Sequence, residues 1–124
     1  MSVVHVVKDL LNGMAGSVFI DDMPAKPDRA ACIYATGGFP RDLVGGMVEE
    51  PTFMIHVRDP SRLMAEDTAE AIKDALHGVN NYPVQGAGTV LLIAQMGDIN
   101  YIGRDENHRA VLSLNFRAYY RREG

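Results

Sequence analysis

The residue types that could carry out chemistry here are four histidines and one cysteine, Cys32. Histidine acts as a general acid or base near neutral pH and binds metals, and a thiolate is a nucleophile or a metal ligand. No ligand-like spacing relates the histidines, and none is close in sequence to Cys32. They are His5, His56, His77 and His108. We therefore expect edge or solvent-facing histidines, a buried Cys32, no metal site and no cofactor.

The glycine-rich stretch Gly37–Met47, GGFPRDLVGGM, could in principle cradle a phosphate. The Lys-Ser or Lys-Thr pair of a phosphate-binding loop does not follow it, and no helix clearly begins there. Its four glycines and one proline disfavour both helix and strand. We therefore expect a loop over residues 37–50 that leaves the body of the domain and reaches a partner.

A row of carboxylates, Glu66, Glu70 and Asp74, lies on the outer side of a predicted helix. Carboxylates on successive turns can bind a divalent ion, but around Lys73 they are more typical of a solvated face. Leu63 interrupts this polar face, where a monomer gains nothing from it. None of these groups predicts a catalytic site, and we expect a protein that is not an enzyme.

At 124 residues the chain is long enough for one ordinary core, so we expect a single domain over residues 1–124. Its net charge of −4 gives no support for a protein that grips nucleic acid by its phosphates. A single cysteine excludes an intramolecular disulfide. Without a signal-like or membrane-length apolar run, we expect synthesis in the cytosol and no membrane partner.

The elements that must position these residues are clearest between Glu49 and Gly78. Alternation over Thr52–Arg58 predicts a strand with one buried face. Asp59 suits the N-cap of a following helix, and Pro60 suits its first position. Gly78 fits the left-handed position that ends the helix.

The other segments are assigned in the same way. Ser2–Leu11 has apolar residues at helical spacing, although its β-branched valines also favour a strand. Arg29–Thr36 predicts a central strand, and residues 79–88 a polar connection. Further predicted elements are short strands over Ser17–Ile20 and Ile99–Ile102, longer strands over Val90–Met96 and Arg109–Tyr120, and a turn over Gly103–His108. Together they predict an α+β fold, with a mostly antiparallel sheet of four to five strands and two helices packed on one face.

Three stretches carry a family resemblance: PAKPDRAACIYATGGFP, EEPTFMIHVRD leading into a helix, and MGDINYIGRDENHRAVLSLNFRAYYRR. In this order the chain resembles small bacteriophage proteins known as minor capsid or tail-terminator (tail-completion) proteins. The terminal part includes Gly-Arg-Asp-Glu-Asn before a strand with Ser113, Asn115 and Phe116. Where such sequences often have glycine after Asn107, this chain has His108, which leaves the turn type open.

The resemblance implies a ring, commonly a hexamer, on the head-proximal end of the tail tube. Such a ring stops the addition of tube subunits and joins the tail to the head connector, while phage DNA passes through without specific binding. The implied location is the host cytoplasm during assembly and then the virion tail. On this interpretation the candidate contact residues are Phe39, Pro40, Arg41, Leu63 and Arg104. The acidic face with Glu66, Glu70 and Asp74 would line the lumen or an exposed rim.

Two other interpretations stay open from the residues alone. A small ligand-binding protein or enzyme could use the open sheet face, where strand alternation places His56, Arg58 and Asn115. A nucleic-acid-binding domain could use arginines near the end of the chain, although the acidic total argues against it. Those arginines are Arg117, Arg121 and Arg122.

Overall fold

A computed structural model describes residues 3–14, 16–39 and 48–122, and these form two helices and six strands. The elements, in chain order, are α1 (Val3–Leu10), β1 (Ser17–Ile20), β2 (Ala30–Phe39), β3 (Val48–Asp59), α2 (Arg62–Leu76), β4 (Asn80–Val84), β5 (Gly88–Arg104) and β6 (Ala110–Arg122). The α+β class is as expected. No helix in the described ranges is both long and apolar enough to cross a bilayer.

The six strands form one sheet in the order β1-β2-β3-β6-β5-β4. The sheet is mixed, since β1 runs parallel to β2 and all other neighbours are antiparallel. The expectation of four to five strands was therefore slightly low. The additional strand is β4, which lies in the segment assigned to a polar connection. Its side chains are mostly exposed, so it shows none of the apolar alternation that marks a half-buried strand.

One face of the sheet packs against both helices. The predicted alternation in β3 is confirmed, since Phe53, Ile55 and Val57 are buried. On β6 the expected row is buried as well, and the Phe116 ring stacks on Phe53 with ring centroids 5.3 Å apart. Buried residues of α1 and α2 complete the same core cluster. Covering an antiparallel sheet on one face gives the two-layer arrangement of an α+β domain.

The start of α2 differs from the prediction. Ser61, not Asp59, is the N-cap, and its hydroxyl accepts from the N–H of Met64 at 3.2 Å. Asp59 is the last residue of β3, and its carboxylate accepts from the N–H of Ser61 at 2.9 Å. Pro60 therefore lies in the turn before the helix. The predicted end is confirmed, because Gly78 follows the cap residue His77 with a φ of 91°.

The glycine-rich stretch is partly strand. Gly37, Gly38 and Phe39 extend β2, whereas residues 40–47 lie outside the described ranges. Gly38 has a φ of 107°, and a Cβ atom there would lie 2.2 Å from the carbonyl oxygen of Glu50. Glycine is needed at this position because the two strands approach too closely for a side chain. The glycines that predicted a loop here allow two strands to pair closely.

At the other end of the chain, the strands are longer than predicted. Val90–Met96 and Ile99–Ile102 are parts of one strand, β5, which bulges between Met96 and Asn100 where it pairs with β6. The turn that follows is shorter than expected, because β5 continues to Arg104. His108 adopts a φ of 62°, so it takes the left-handed position that glycine often fills.

Two buried arginines hold the connection between β1 and β2 against the sheet. Arg58 donates to the carbonyls of Pro27 and Asp28, and Arg109 donates to the carbonyl of Ala25. Arg109 also pairs with the carboxylates of Asp105 at 2.9 Å and Asp28 at 3.3 Å. We call Arg58, Arg109 and these partners the arginine clamp. Burial, followed by the neighbouring charge of Arg109, lowers the pKa of Arg58 from its ordinary value.

We predict that Arg109→Leu lowers the free energy of unfolding by about 3 kcal/mol, because it removes the buried guanidinium that binds the carbonyl of Ala25 and the carboxylates of Asp105 and Asp28. Arg29→Leu is the matched control. Arg29 is half exposed and lies 3.9 Å from Asp59, so its loss should cost less than about 1 kcal/mol. Urea unfolding of both variants measures the difference. Equal losses would contradict the role of the clamp.

We also predict a pH dependence from Asp105. Its carboxylate accepts first of all from the backbone N–H of Arg109, and also from the Arg109 guanidinium and the N–H of Asn107, which holds its pKa below the usual value. A lowered pKa in the folded state adds stability at neutral pH that is lost as the pH falls through that pKa. Asp105→Asn should therefore be less stable than wild type at pH 7, with the gap closing below about pH 4. Thermal unfolding across this range measures the gap, with Glu106→Gln, at the exposed neighbouring position, as the control variant.

Candidate functional site

The outer face of α2 is as the sequence predicts. Leu63 is 67% exposed, one helical turn from the carboxylates. Glu70 and Asp74 are exposed, and Glu66 is half buried with its carboxylate 3.0 Å from the Arg62 guanidinium. At 100° per residue these three carboxylates follow one stripe along the helix. The structure thus confirms an acidic face with one exposed leucine set into it.

This face continues into a groove between α2 and β5, which we call the α2–β5 groove. It encloses about 330 Å³ and is lined by Arg62, Glu66, Asp67, Glu70, Asp98, Ile99, Tyr101 and Leu112. The Arg62 guanidinium lies 3.9 Å from the centroid of the Tyr101 ring, which is a cation–π contact. Four carboxylates face a single guanidinium, so the walls are strongly acidic, whereas Ile99 and Leu112 supply apolar surface.

The contributions of Asp98 and Tyr101 could not be found from the sequence. They are far along the chain from α2 and meet it only because β5 pairs with β6 under the helix. The one available signal is Gly97-Asp98, a turn-forming pair between the predicted strands Val90–Met96 and Ile99–Ile102. Within the described residues, no three histidine, cysteine or acidic side chains are placed to hold a metal ion. The groove is therefore an acidic concave surface without a metal-binding arrangement in this part of the chain.

Of the other predicted contact residues, Arg104 binds the turn before α2, the helix that carries Leu63 near its start. Its guanidinium donates to the carbonyl of Pro60 at 3.0 Å and to that of His108, so it ties the end of β5 to the start of α2. Phe39 belongs to the opposite end of the sheet, where its backbone pairs with Glu50. Pro40 and Arg41 lie outside the described residues. Those predicted contacts that the structure describes therefore occupy both ends of the sheet and do not form one patch.

The open face of the sheet does not assemble the predicted ligand site. His56 stands opposite Cys32 and Ser113, and its ring meets the edge of Tyr34 with centroids 5.1 Å apart. Burial lowers the pKa of His56, so the neutral imidazole is favoured. Asn115 is on the same face as His56. It pairs with Met54, two residues before His56 on β3. The expectation that Arg58 shares this polar surface was wrong, since it is buried in the arginine clamp.

Cys32 is fully buried, as expected, and burial raises the pKa of its thiol. Its hydrogen bond with Tyr34 adds to the effect of burial in raising the pKa of that phenol to about 12. Both groups therefore stay protonated at neutral pH. A neutral buried thiol beside a neutral histidine is not an activated nucleophile.

The arginines at the end of β6 are not a free basic patch. Arg122 forms a two-pronged ion pair with Glu49, with nitrogen–oxygen distances of 2.6 and 3.1 Å. Arg121 is exposed, whereas Arg117 and Arg122 are half buried. This arrangement does not resemble the clustered positive surface of a protein that binds phosphates.

Comparisons with known proteins agree with the fold and the resemblance. The chain has the same fold as a solved chain from the virion of a native gene transfer agent particle, with a TM-score of 0.58 and 18% identity over 94% of this chain and 84% of that chain. No curated protein matches significantly. The family model described as "Bacteriophage tail terminator protein" matches residues 6–122. Since this match spans nearly the entire chain, the protein belongs to the bacteriophage tail terminator family.

Proposed function

We propose that this protein is a non-enzymatic structural component of a phage tail that closes the growing tail tube as a ring. The family match over residues 6–122 carries this proposal. In it, residues 1–124 act as one domain, and a hexamer of such domains sits on the head-proximal end of the tube. The ring ends tube polymerisation and presents a surface to the head connector. The protein acts first in the host cytoplasm and then in the virion tail.

The distribution of exposed apolar side chains supports an assembly role. Six large hydrophobic side chains are exposed in the described ranges, and four of them lie at the start of α2 or near the end of β5. These four are Leu63, Met64, Tyr101 and Ile102. The Arg104–Pro60 hydrogen bond and the contact of Arg62 with Tyr101 hold the two segments together. Exposed apolar groups concentrated in one region are typical of a contact surface.

A ring needs two different surfaces on each subunit, because a head-to-tail contact closes by rotation and not by twofold symmetry. We propose that the region around Leu63 and Arg104 supplies one of these surfaces. Phe39, Pro40 and Arg41, in the 37–50 segment, would contact the tube or a neighbouring subunit. Because Phe39 belongs to the opposite end of the sheet, one subunit can contact two partners at once.

The charge of the protein suits a ring that DNA crosses. We propose that Glu66, Glu70 and Asp74 face the lumen or its rim. Carboxylates there repel phosphates and remove the counterion release that makes protein–DNA binding tight. The net charge of −4 and the ion-paired Arg122 are in keeping with free passage of the duplex.

The proposal is tested by electron microscopy of the purified protein mixed with the tail-tube protein of the same phage. We expect tubes that stop growing and carry a ring at one end, compared with longer uncapped tubes without the protein. Unchanged tube lengths and bare ends at a molar excess of the protein would overturn the proposal.

We predict that Leu63→Ser abolishes capping while it changes the free energy of unfolding by no more than about 0.5 kcal/mol, because the side chain is exposed. Leu92→Ser is the control, since Leu92 is an exposed leucine on β5 away from this region. Capped-tube counts and thermal unfolding are measured for both variants. Full capping by Leu63→Ser would remove Leu63 from the contact surface.

A further inference from the structure

The sheet has two free edges, one on β1 and one on β5, and a single row of paired residues connects them. Across the sheet, one row of paired residues runs Val18, Ala31, Val57, Leu112 and Tyr101, from β1 to β5. At this level β4 is absent, because it pairs only with Gly88–Leu92 of β5. The sheet is therefore five strands wide here, and in the described ranges no strand pairs with the outer side of β1 or of Asn100–Arg104.

The backbone beside β5 confirms where its free edge begins. The segment after α2 still bonds to the middle of β5, since the N–H of Gly78 donates to Ile93 and the N–H of Ile93 donates to Val79. The N–H of Gln95 donates to the ring of His77 at 3.0 Å. Beyond the bulge after Met96, pairing with β6 holds Asn100–Arg104 extended on the inner side alone.

We infer that β1 of one copy of this chain adds to the outer edge of β5 residues 100–104 of the next copy, so that the sheet continues from subunit to subunit. The inference rests on the proposed ring and names the contact that forms it. The strand directions fit it. β1 and β2 are parallel and each later neighbour is antiparallel, so β1 and β5 run in opposite directions. A neighbour in the same orientation thus offers β1 antiparallel to β5, the pairing with the straighter hydrogen bonds.

The two edges also differ from the protected edge of the sheet. β1 reads Ser-Val-Phe-Ile, without charge or proline, and Tyr101 and Ile102 of β5 are exposed. β4, in contrast, contains Pro83 and two asparagines, which blunt an edge against pairing. The sequence of β4 therefore disfavours pairing with another strand, whereas the sequence of β1 permits it. The two open edges are different surfaces of one molecule, as a head-to-tail ring requires.

The bulges in β5 would rotate an added subunit relative to the first. Three lie where β5 pairs with β6: between Val90 and Leu92, between Met96 and Asn100, and at Ile102, between Tyr101 and Gly103. Bulges bend a strand and increase its twist. A subunit added at this edge would be rotated relative to the first, and a constant rotation leads to a closed ring when it matches a whole fraction of a turn.

The test uses two single-cysteine variants, Ser17→Cys and Asn100→Cys, which place thiols within about 10 Å of each other across the proposed contact. The native Cys32 is fully buried and stays unreactive. The variants are mixed in equal amounts, assembled on tail tubes and treated with a short bismaleimide. We expect cross-linked dimers in the mixture and at least tenfold fewer with either variant alone, because a head-to-tail contact brings together only unlike positions.

The outcomes separate this inference from the proposed function. Capped tubes without cross-linked dimers would overturn the inference and leave the capping function in place. Dimers from Asn100→Cys alone would also overturn it, since they indicate a twofold contact. Dimers from the mixture at high protein concentration, with tubes uncapped, would support the edge contact and overturn the capping function.

A second pair of variants tests the same edge by charge. Ile102→Lys places a cation on the free edge and should reduce the yield of cross-linked dimers at least tenfold. Tyr82→Lys is the matched control and should leave the yield unchanged, because Tyr82 is an exposed residue of β4, which covers the other end of β5. Thermal unfolding is measured for both variants to check that they are folded. Equal yields from the two would overturn the inference.

Discussion

The arginine clamp is the interaction on which the rest of the architecture depends. β1 and β2 are parallel neighbours, and the chain between them, residues 21–29, forms no helix and no strand. Parallel strands need a crossover, usually stabilised by a packed helix. Here the guanidinium groups of Arg58 and Arg109 bind the carbonyls of residues 25, 27 and 28 instead. Together with the hydrogen bond from the N–H of Asp21 to the carbonyl of Ile33, these donors fix the path that brings β2 back beside β1.

The arginine clamp also fixes the backbone next to the exposed apolar side chains. Arg109 lies at the start of β6, next to the turn whose carboxylate Asp105 it binds, and Arg104 ties that same end to α2. The exposed side chains of Leu63 and Ile102 therefore project from backbone that is already fixed. A contact surface that needs no ordering on association loses less conformational entropy when it binds. Stability and the proposed assembly contact thus draw on the same end of the sheet.

The parts of this fold that can be predicted from sequence are those with a local signal. The alternation in β3 and β6, the apolar face of α2 and the stop at Gly78 all follow from spacing within one element. The features that were not predicted depend on residues elsewhere in the chain. Arg58 alternates onto the open face, but its long side chain reaches the carbonyls of a segment thirty residues away. Polar β4 is a strand only because β5 offers it a partner, and Asp98 joins the carboxylates of α2 only through sheet pairing.

The short length of β1 has a consequence for when a ring could form. An edge of four residues offers few hydrogen bonds, and each exchanges a bond with water for one with protein, so its net contribution is about 1 kcal/mol. A single contact of this kind does not offset the loss of translational and rotational freedom on association. Subunits held beside one another on a tube end meet at a high effective concentration, and the last contact of a ring closes without further loss of that freedom. In the proposed ring, weak edges therefore favour assembly only where a template has already gathered the subunits.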